Sequence, residues 1–350
     1  MATRTLEEHL AADGTGGDDP RKAAVVETIS ALARGAIAVR DTVNLGALGA
    51  AFADHSGTSN AGGDIQKDLD VLADEVMLDA LRRAPVAFYA SEELEHPVAL
   101  DRSAPIAVAI DPLDGSSNID TNVSIGTIFS ILPALGGAGR NDLANFLQPG
   151  RAQLAAGFFI YGPQLALVLT LGAGTHIFVY SPRISQFVHA YEEVAIPAMT
   201  QEFAINASNY RHWDGAVRHY VDDCMQGSEG PHGRDFNMRW IASLVADAYR
   251  IFIRGGVYLY PGDRRRGYAY GRLRLVYEAN PIAMLVEQAG GLATDAFQPI
   301  LDIVPQTLHQ RVPLIFGSQA EVLQIRRYHE EPDAVGVRSP LFGSRGLFRE

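Results

Sequence analysis

Apolar positions recur at helical spacing over two early stretches of the chain. Between Arg21 and Arg40, Val25, Ile29, Leu32 and Ile37 lie near a 3.6-residue period, which predicts a helix with one buried face. Between Ile65 and Val76 the apolar set Ile65, Leu69, Leu72 and Val76 repeats at +4, +3, +4, the stripe of a second amphipathic helix. AADGTGGDDP (residues 11–20) reads as a loose loop before the first. SGTSNAGG (56–63) reads as a linker or lid between them.

Beyond residue 85 the pattern changes to short apolar runs bounded by Gly or Pro: Val86–Ala90, Ile106–Ile110, Ile125–Leu132, Ala155–Tyr161, Leu165–Leu171 and His176–Tyr180. These are predicted strands, and FFIYGPQLALVL is a hairpin turning at Gly162-Pro163. From about residue 200 a further α/β portion begins: helix ASLVADAYRIFIRGG, strand VYLYP, strand RLRLVYE and helix NPIAMLVEQAGG. The last is expected to be capped by Asn280, to carry Pro281 in its first turn and to stop at Gly290-Gly291. The resulting expectation is a layered α/β protein. A loose segment over 1–20 precedes an α/β domain over 21–199 and a second over 200–335, with a tail over 336–350.

Charge narrows the class. A formal net charge of −12 offers no basic footprint for nucleic acid. The lone Cys224 fits a reducing cytoplasmic setting. No apolar run is long enough to span a membrane, and MATRTLEEHL has no apolar core of a secretory leader.

Candidate chemistry lies where predicted strands end. VAFYAS runs into Glu92-Glu93, IAVAI into Asp111 and Asp114, and LRLVY into Glu278. Strand ends are where α/β sheets build ligand sites. If these carboxylates converge, two charges ~4 Å apart repel by ~4 kcal/mol at an effective dielectric of 20, so the cluster needs a cation. Oxygen-only donors select a hard ion, Mg²⁺ or Mn²⁺, and the carbonyl of Leu113 is a further candidate ligand. Gly115, Ser116 and Ser117 of DPLDGSSN then offer backbone N–H groups for an anion. A metal beside a phosphate-binding turn points to phosphoryl chemistry. An EF-hand loop is excluded, because Leu113, Gly115 and Asn122 occupy positions where acids or their equivalents are needed.

DPLDGSSN, with SEE (91–93) before it and LQPGR (147–151) after it, resembles class I fructose-1,6-bisphosphatases. So does GGVYLYP…GRLRLVYEANPIAMLVEQAGG…ILDIVPQTLHQRVP, so that the likeness spans about residues 21–330. The resemblance implies a sugar-phosphatase fold of alternating helix and sheet layers. Two or three Mg²⁺ ions would be held by Glu92, Asp111, the Leu113 carbonyl, Asp114 and Glu278, with Mn²⁺ as a substitute. Glu93 and Asp70 would position and deprotonate the attacking water, and Asp64 would assist as the Gly-rich loop closes. Gly115, Ser116 and Ser117 would hold the 1-phosphate, while Asn206, Arg239, Tyr260 and Arg272, with Arg274 nearby, would bind the 6-phosphate. Arg239 would reach in from a neighbouring subunit of a homotetramer.

Arg272 stands where the family usually has Lys, and Trp240 where Tyr is common. NASNY (206–210) departs from the family's N-E-G pattern. The family's AMP-binding turn is matched by Ala23-Ala24-Val25-Val26. Its Lys-Tyr pair is matched by Pro105-Ile106 and its distal Arg by Pro133, which implies insensitivity to AMP. The triple arginine 264–266 is either a solvated hairpin tip or a site for another anionic effector. Fructose 1,6-bisphosphate is the leading substrate, sedoheptulose 1,7-bisphosphate the alternative. A non-catalytic sugar-phosphate or metal sensor is a third reading, which the full set of carboxylates opposes.

Overall fold

The computed structural model describes residues 4–14, 19–44, 65–136 and 141–331. Asp64, the 56–63 stretch and the 336–350 tail lie outside the described residues. Two sheets and three helical layers alternate, as the runs of fully buried strands require.

The larger sheet has the order β2-β1-β3-β4-β5-β6-β7-β8, from β1 (Val86–Ser91), β2 (Val98–Ala99), β3 (Ile106–Asp114), β4 (Ile125–Pro133), β5 (Ala155–Tyr161), β6 (Leu165–Thr170), β7 (His176–Ser181) and β8 (Gln186–Tyr191). All its pairings are antiparallel except β1 with β3. Strands β3, β5 and β6 are buried at every position, because helices cover both faces. On one face Phe129, Phe159, Leu167 and Phe178 pack with Ile29, Leu32 and Met77 of helices α2 (Pro20–Val43) and α3 (Ile65–Leu81). On the other face Ile128, Phe158, Val168 and Ile177 meet Val245, Ile251, Ile282 and Leu285 from later helices.

The second sheet, of order β10-β9-β11-β15-β13, uses β9 (Glu202–Ala204), β10 (Asn237–Met238), β11 (Val257–Tyr260), β13 (Leu292–Thr294) and β15 (Leu314–Gly317). Its outer face carries α4 (Gly215–Gln226) and α7 (Gln319–Glu330) through Phe203, Leu259, Ile315, Tyr220 and Ile325. Between the sheets lie α5 (Leu244–Arg254) and α6 (Asn280–Gln288). Short β12 (Leu273–Arg274) pairs with β14 (Arg311–Val312).

Four sequence expectations change. Residues 11–14 are not loop but the end of helix α1 (Leu6–Gly14), which buries Leu6 and Leu10 against the large sheet. Helix α3 packs through Ala73, Met77 and Leu81, whereas Leu72 is 39% exposed, so the buried stripe drifts off the predicted one. RLRLVYE is a strand only at Leu273–Arg274, and Leu275–Ala279 then form one π-helical turn that runs straight into α6. The apolar run LVY is buried by a helical turn as well as by a strand, and periodicity cannot separate the two over so short a span. Because that turn is continuous with α6, Asn280 is the first helical residue and buried, not an exposed cap.

Helix α1 docks on the far edge of the large sheet, where Thr5 bridges Val188 and the His189 N–H donates to the Arg4 carbonyl at 2.8 Å. Three imidazoles meet in that seam, with ring centroids of His9, His176 and His189 4.5–5.5 Å apart and Phe178 stacked on His189 at 4.4 Å. Burial, then His176, Arg4 and His189, push His9 down to about 4 from 6.5, and burial lowers His176 and His189 as well. Glu192 and Glu193 pull the other way on His176, and Glu192 does so on His189. An imidazole depressed by folding stabilises the fold above its unfolded value, and that contribution is lost as pH falls toward the folded one. Thermal unfolding should therefore show a Tm loss between pH 6.5 and about 4. In His189→Phe, which keeps the stack on Phe178, that loss should shrink by about 2–4 °C; an equal loss in both proteins would contradict the account.

Candidate active site

The site forms where β1, β3 and the π-helical turn end together. In β3 the pairing with β4 shifts between Asp111, opposite Ile128, and Asp114, opposite Gly126. One extra residue on β3 is a bulge, favoured here because Pro112 cannot donate to the ladder. Thr127 Oγ1 donates to the Pro112 carbonyl at 2.8 Å and pins it. The bulge sends the two aspartates to different partners. Asp111 converges with Glu92 and Glu278, one carboxylate oxygen of each lying within 4.8 Å of the others. Asp114 instead accepts the Val245 N–H at 3.0 Å, at the start of α5. β4 comes close enough to α5 to brace this only because residue 126 is glycine: a Cβ there would stand 2.7 Å from Val245 and 2.2 Å from the Phe159 carbonyl.

Electrostatics mark the cluster as strained without a cation. Burial is the largest cause in every case. It holds Asp111 and Glu278 well above the usual carboxylate range, with the Glu92 charge adding to both. It raises Glu92 against the pull of Arg274 and lifts Asp114 to about 7 against the Val245 N–H. Among the described residues, Arg274 is the one cation that answers this charge within hydrogen-bonding reach. Its Nη1 bonds Glu92 Oε1, and its backbone N–H donates to Glu278 Oε2 at 2.5 Å. Glu92 Oε2 is buried without a hydrogen-bond partner. Oxygen donors alone, an orphaned buried carboxylate oxygen and mutual repulsion fit a hard divalent cation.

Asp70, on α3, faces this cluster from the side of Glu93. Burial, then Glu93, raises it to about 6 while the Ser116 hydroxyl lowers it, and its Oδ1 is buried with no partner. Glu93 is exposed. Gly115 takes φ +78°, and Ser116–Thr121 follow as a 3₁₀ turn with Ser117 exposed. A brace absent from the sequence reading is Ala242–Ser243. Asn118 Nδ2 donates to the Ala242 carbonyl at 2.8 Å, and Ser243 Oγ, buried and unpartnered, faces Gly115. Leu113 is buried on the bulge, and its N–H donates to Asp111 Oδ1 at 3.1 Å.

Of the residues expected at the far phosphate, Asn206, Tyr260 and Arg272 line one pocket, together with Asn209, Arg265 and Tyr268. Two do not join them. Arg274 turns to Glu92, and Arg239 lies on the surface, 51% exposed and 3.9 Å from Glu202. Trp240 stacks on Tyr258 beside Tyr260. Tyr210, in the unusual NASNY stretch, gives its hydroxyl to Asp222.

Residues 9–192 match the family described as fructose-1-6-bisphosphatase, N-terminal domain, and residues 196–330 match fructose-1-6-bisphosphatase, C-terminal domain. The chain is 62% identical over 349 residues to the class 1 fructose-1,6-bisphosphatase of Rhizobium meliloti (strain 1021), covering all of both chains. It is 56% identical over 330 residues to that of Azorhizobium caulinodans, covering 94% of this chain and all of the relative. The fold is similar to that of Leishmania major fructose-1,6-bisphosphatase in holo form, with a TM-score of 0.82 at 28% identity, over 94% of this chain and all of that one.

Proposed function

The chain belongs to the class 1 fructose-1,6-bisphosphatase family and hydrolyses fructose 1,6-bisphosphate; we propose that the 1-phosphate is removed at the Glu92–Asp111–Glu278 cluster while the 6-phosphate sits in the Arg272 pocket. The observation that carries the assignment is the convergence of three buried carboxylates with an orphaned Glu92 oxygen. Sedoheptulose 1,7-bisphosphate as main substrate finds no support among relatives named for the fructose ester.

The family is metal-dependent. In this reading Glu92, Asp111 and Glu278, with Asp114 and the Leu113 carbonyl alongside, hold two or three Mg²⁺, and Mn²⁺ substitutes. The charge supplied by a divalent cation held by these residues would stabilise the phosphoryl oxygens and the departing oxygen of a loose in-line transfer. The protein's own residues do the rest. Asp70 and Glu93 orient a water, and Asp70 takes its proton as the water oxygen bonds to phosphorus and the bond from phosphorus to the C1 oxygen breaks, the departing C1 oxygen taking up a proton from solvent. The exchange yields fructose 6-phosphate and inorganic phosphate. Gly115, Ser116 and Ser117 orient the transferred phosphate. Arg272, which has no ion-pair partner among the described residues, faces the far phosphate with Asn206 and Tyr260. Arg239 on the exposed surface suits donation to a neighbouring copy in a homotetramer, and the setting is cytoplasmic.

Insensitivity to AMP has three supports. Ala23–Val26 lie inside α2 and form no turn. The helix starts at Pro20, and the Asp19 carboxylate already accepts the Arg21 N–H at 2.9 Å, where it would repel a phosphate. Ile106 pairs directly with Pro133 in the sheet, beside Pro105, so none of these three positions supplies a cation. One experiment tests the reading: phosphate release from fructose 1,6-bisphosphate by EDTA-stripped protein, with Mg²⁺ restored and AMP then added. Turnover should appear with Mg²⁺ and stay within about twofold under AMP. No turnover with Mg²⁺ or Mn²⁺ would sink the hydrolytic assignment, and strong inhibition by AMP would sink the insensitivity.

A further inference from the structure

Three consecutive arginines, Arg264–Arg266, sit not on a hairpin tip but on the loop from β11 to β12, strands of different sheets, and the fold treats them differently. Arg264 and Arg266 are exposed, whereas Arg265 turns inward to line the pocket shared by Asn206, Tyr260 and Arg272. Asp263 fixes it there. The Asp263 carboxylate accepts the Arg265 backbone N–H at 2.9 Å, its Nε at 3.0 Å and its Nη2, and that carboxylate is 6% exposed. Among the described residues no hydrogen bond occupies Arg265 Nη1. Tyr268 completes the frame: Arg265 Cζ lies 4.4 Å, and Arg272 Cζ 5.0 Å, from its ring centre.

Two guanidinium groups and one carboxylate leave the pocket lining with one positive charge in excess. One cation is free and the other is pre-oriented by a buried acid. A fork held edge-on, with a free N–H edge, suits the flat face of phosphate oxygens rather than a carbon chain. A ring beneath both cations keeps them ordered at little entropic cost on binding.

We propose that Arg265, held by Asp263 and stacked with Arg272 on Tyr268, is a specificity-determining residue that binds the substrate's far phosphate and selects sugar bisphosphates over monophosphates. This rests on reading the Arg272 pocket as the far-phosphate site. Loss of the charge-assisted hydrogen bonds from Arg265 should cost about tenfold or more in kcat/KM, chiefly through KM.

The test compares fructose 1,6-bisphosphate with fructose 1-phosphate, which lacks the far phosphate, on the Mg²⁺-loaded enzyme. Arg265→Ala should lower kcat/KM for the bisphosphate about tenfold while leaving the monophosphate within about twofold. Arg265→Lys should recover part of it, and Arg266→Ala should behave as wild type. An equal loss on both substrates would make Arg265 merely structural, and no loss on the bisphosphate would make it solvated surface; either overturns the proposal. Arg272→Ala separates the two levels. If it lowers bisphosphate turnover selectively and Arg265→Ala does not, only the role of Arg265 falls. If Arg272→Ala is not selective either, the pocket assignment falls with it.

Discussion

Asp111→Asn is expected to lower kcat for fructose 1,6-bisphosphate by about a thousandfold or more, the scale on which loss of one electrostatic stabiliser of a transition state acts. Asp111 is the carboxylate that the β3 bulge turns toward Glu92 and Glu278. Its charge there is unfavourable for the fold itself, because burial and then Glu92 hold it far above the usual carboxylate range. The neutral isostere removes that repulsion. The metal-free variant should therefore unfold at the same temperature as the metal-free wild type or a few degrees higher. Activity falling while stability holds or rises separates a ligand from a packing residue, since function commonly costs stability at such sites. Steady-state kinetics with excess Mg²⁺, beside thermal unfolding in EDTA, reads both. A variant retaining a tenth of wild-type kcat would remove Asp111 from the site.

The second large effect is expected at Asp70. Asp70→Asn should lower kcat by about 10²–10⁴, the usual contribution of a general base, with KM little changed, since the role proposed for the side chain is to act on the attacking water and not on the sugar. Its Oδ1 is already buried without a partner, so an amide costs the fold little. In wild type the rate should fall on the acid side along a limb at or below about 6, the value to which burial and Glu93 raise Asp70. A cation bound nearby moves that limb further down. In Asp70→Asn the limb should vanish. A variant that loses rate but keeps the limb would transfer the base role to Glu93.

Much of this site is legible in the chain. Glu92, Asp111 and Glu278 each follow an apolar run, and the rule that sheets bind ligands at strand ends brings them together. The hairpin at Gly162-Pro163 and the helical stripe Val25, Ile29, Leu32 form as the periodicity predicts. What the sequence hides is direction. DPLD does not reveal that a one-residue bulge separates Asp111 from Asp114 and gives the latter to Val245. RLRLVYE alternates no differently whether it continues as a strand or, as here, tightens into a π-helical turn that carries Glu278. Arg272 and Arg274 look equivalent in sequence, yet one faces the pocket and the other answers Glu92. RRR says nothing of which arginine turns inward. That depends on Asp263, two residues before Arg265. The brace of Ala242–Ser243 on the DGSSN turn is 124 residues distant in sequence and has only a serine before a helix as its signal.

The most direct measurement is the number of Mn²⁺ ions bound, counted by electron paramagnetic resonance in wild type and Asp111→Asn, each with inorganic phosphate present. Wild type should bind at least one ion that the variant does not, at a pH where both are folded. Equal binding by the two would contradict the assignment of the Glu92–Asp111–Glu278 cluster as the metal centre.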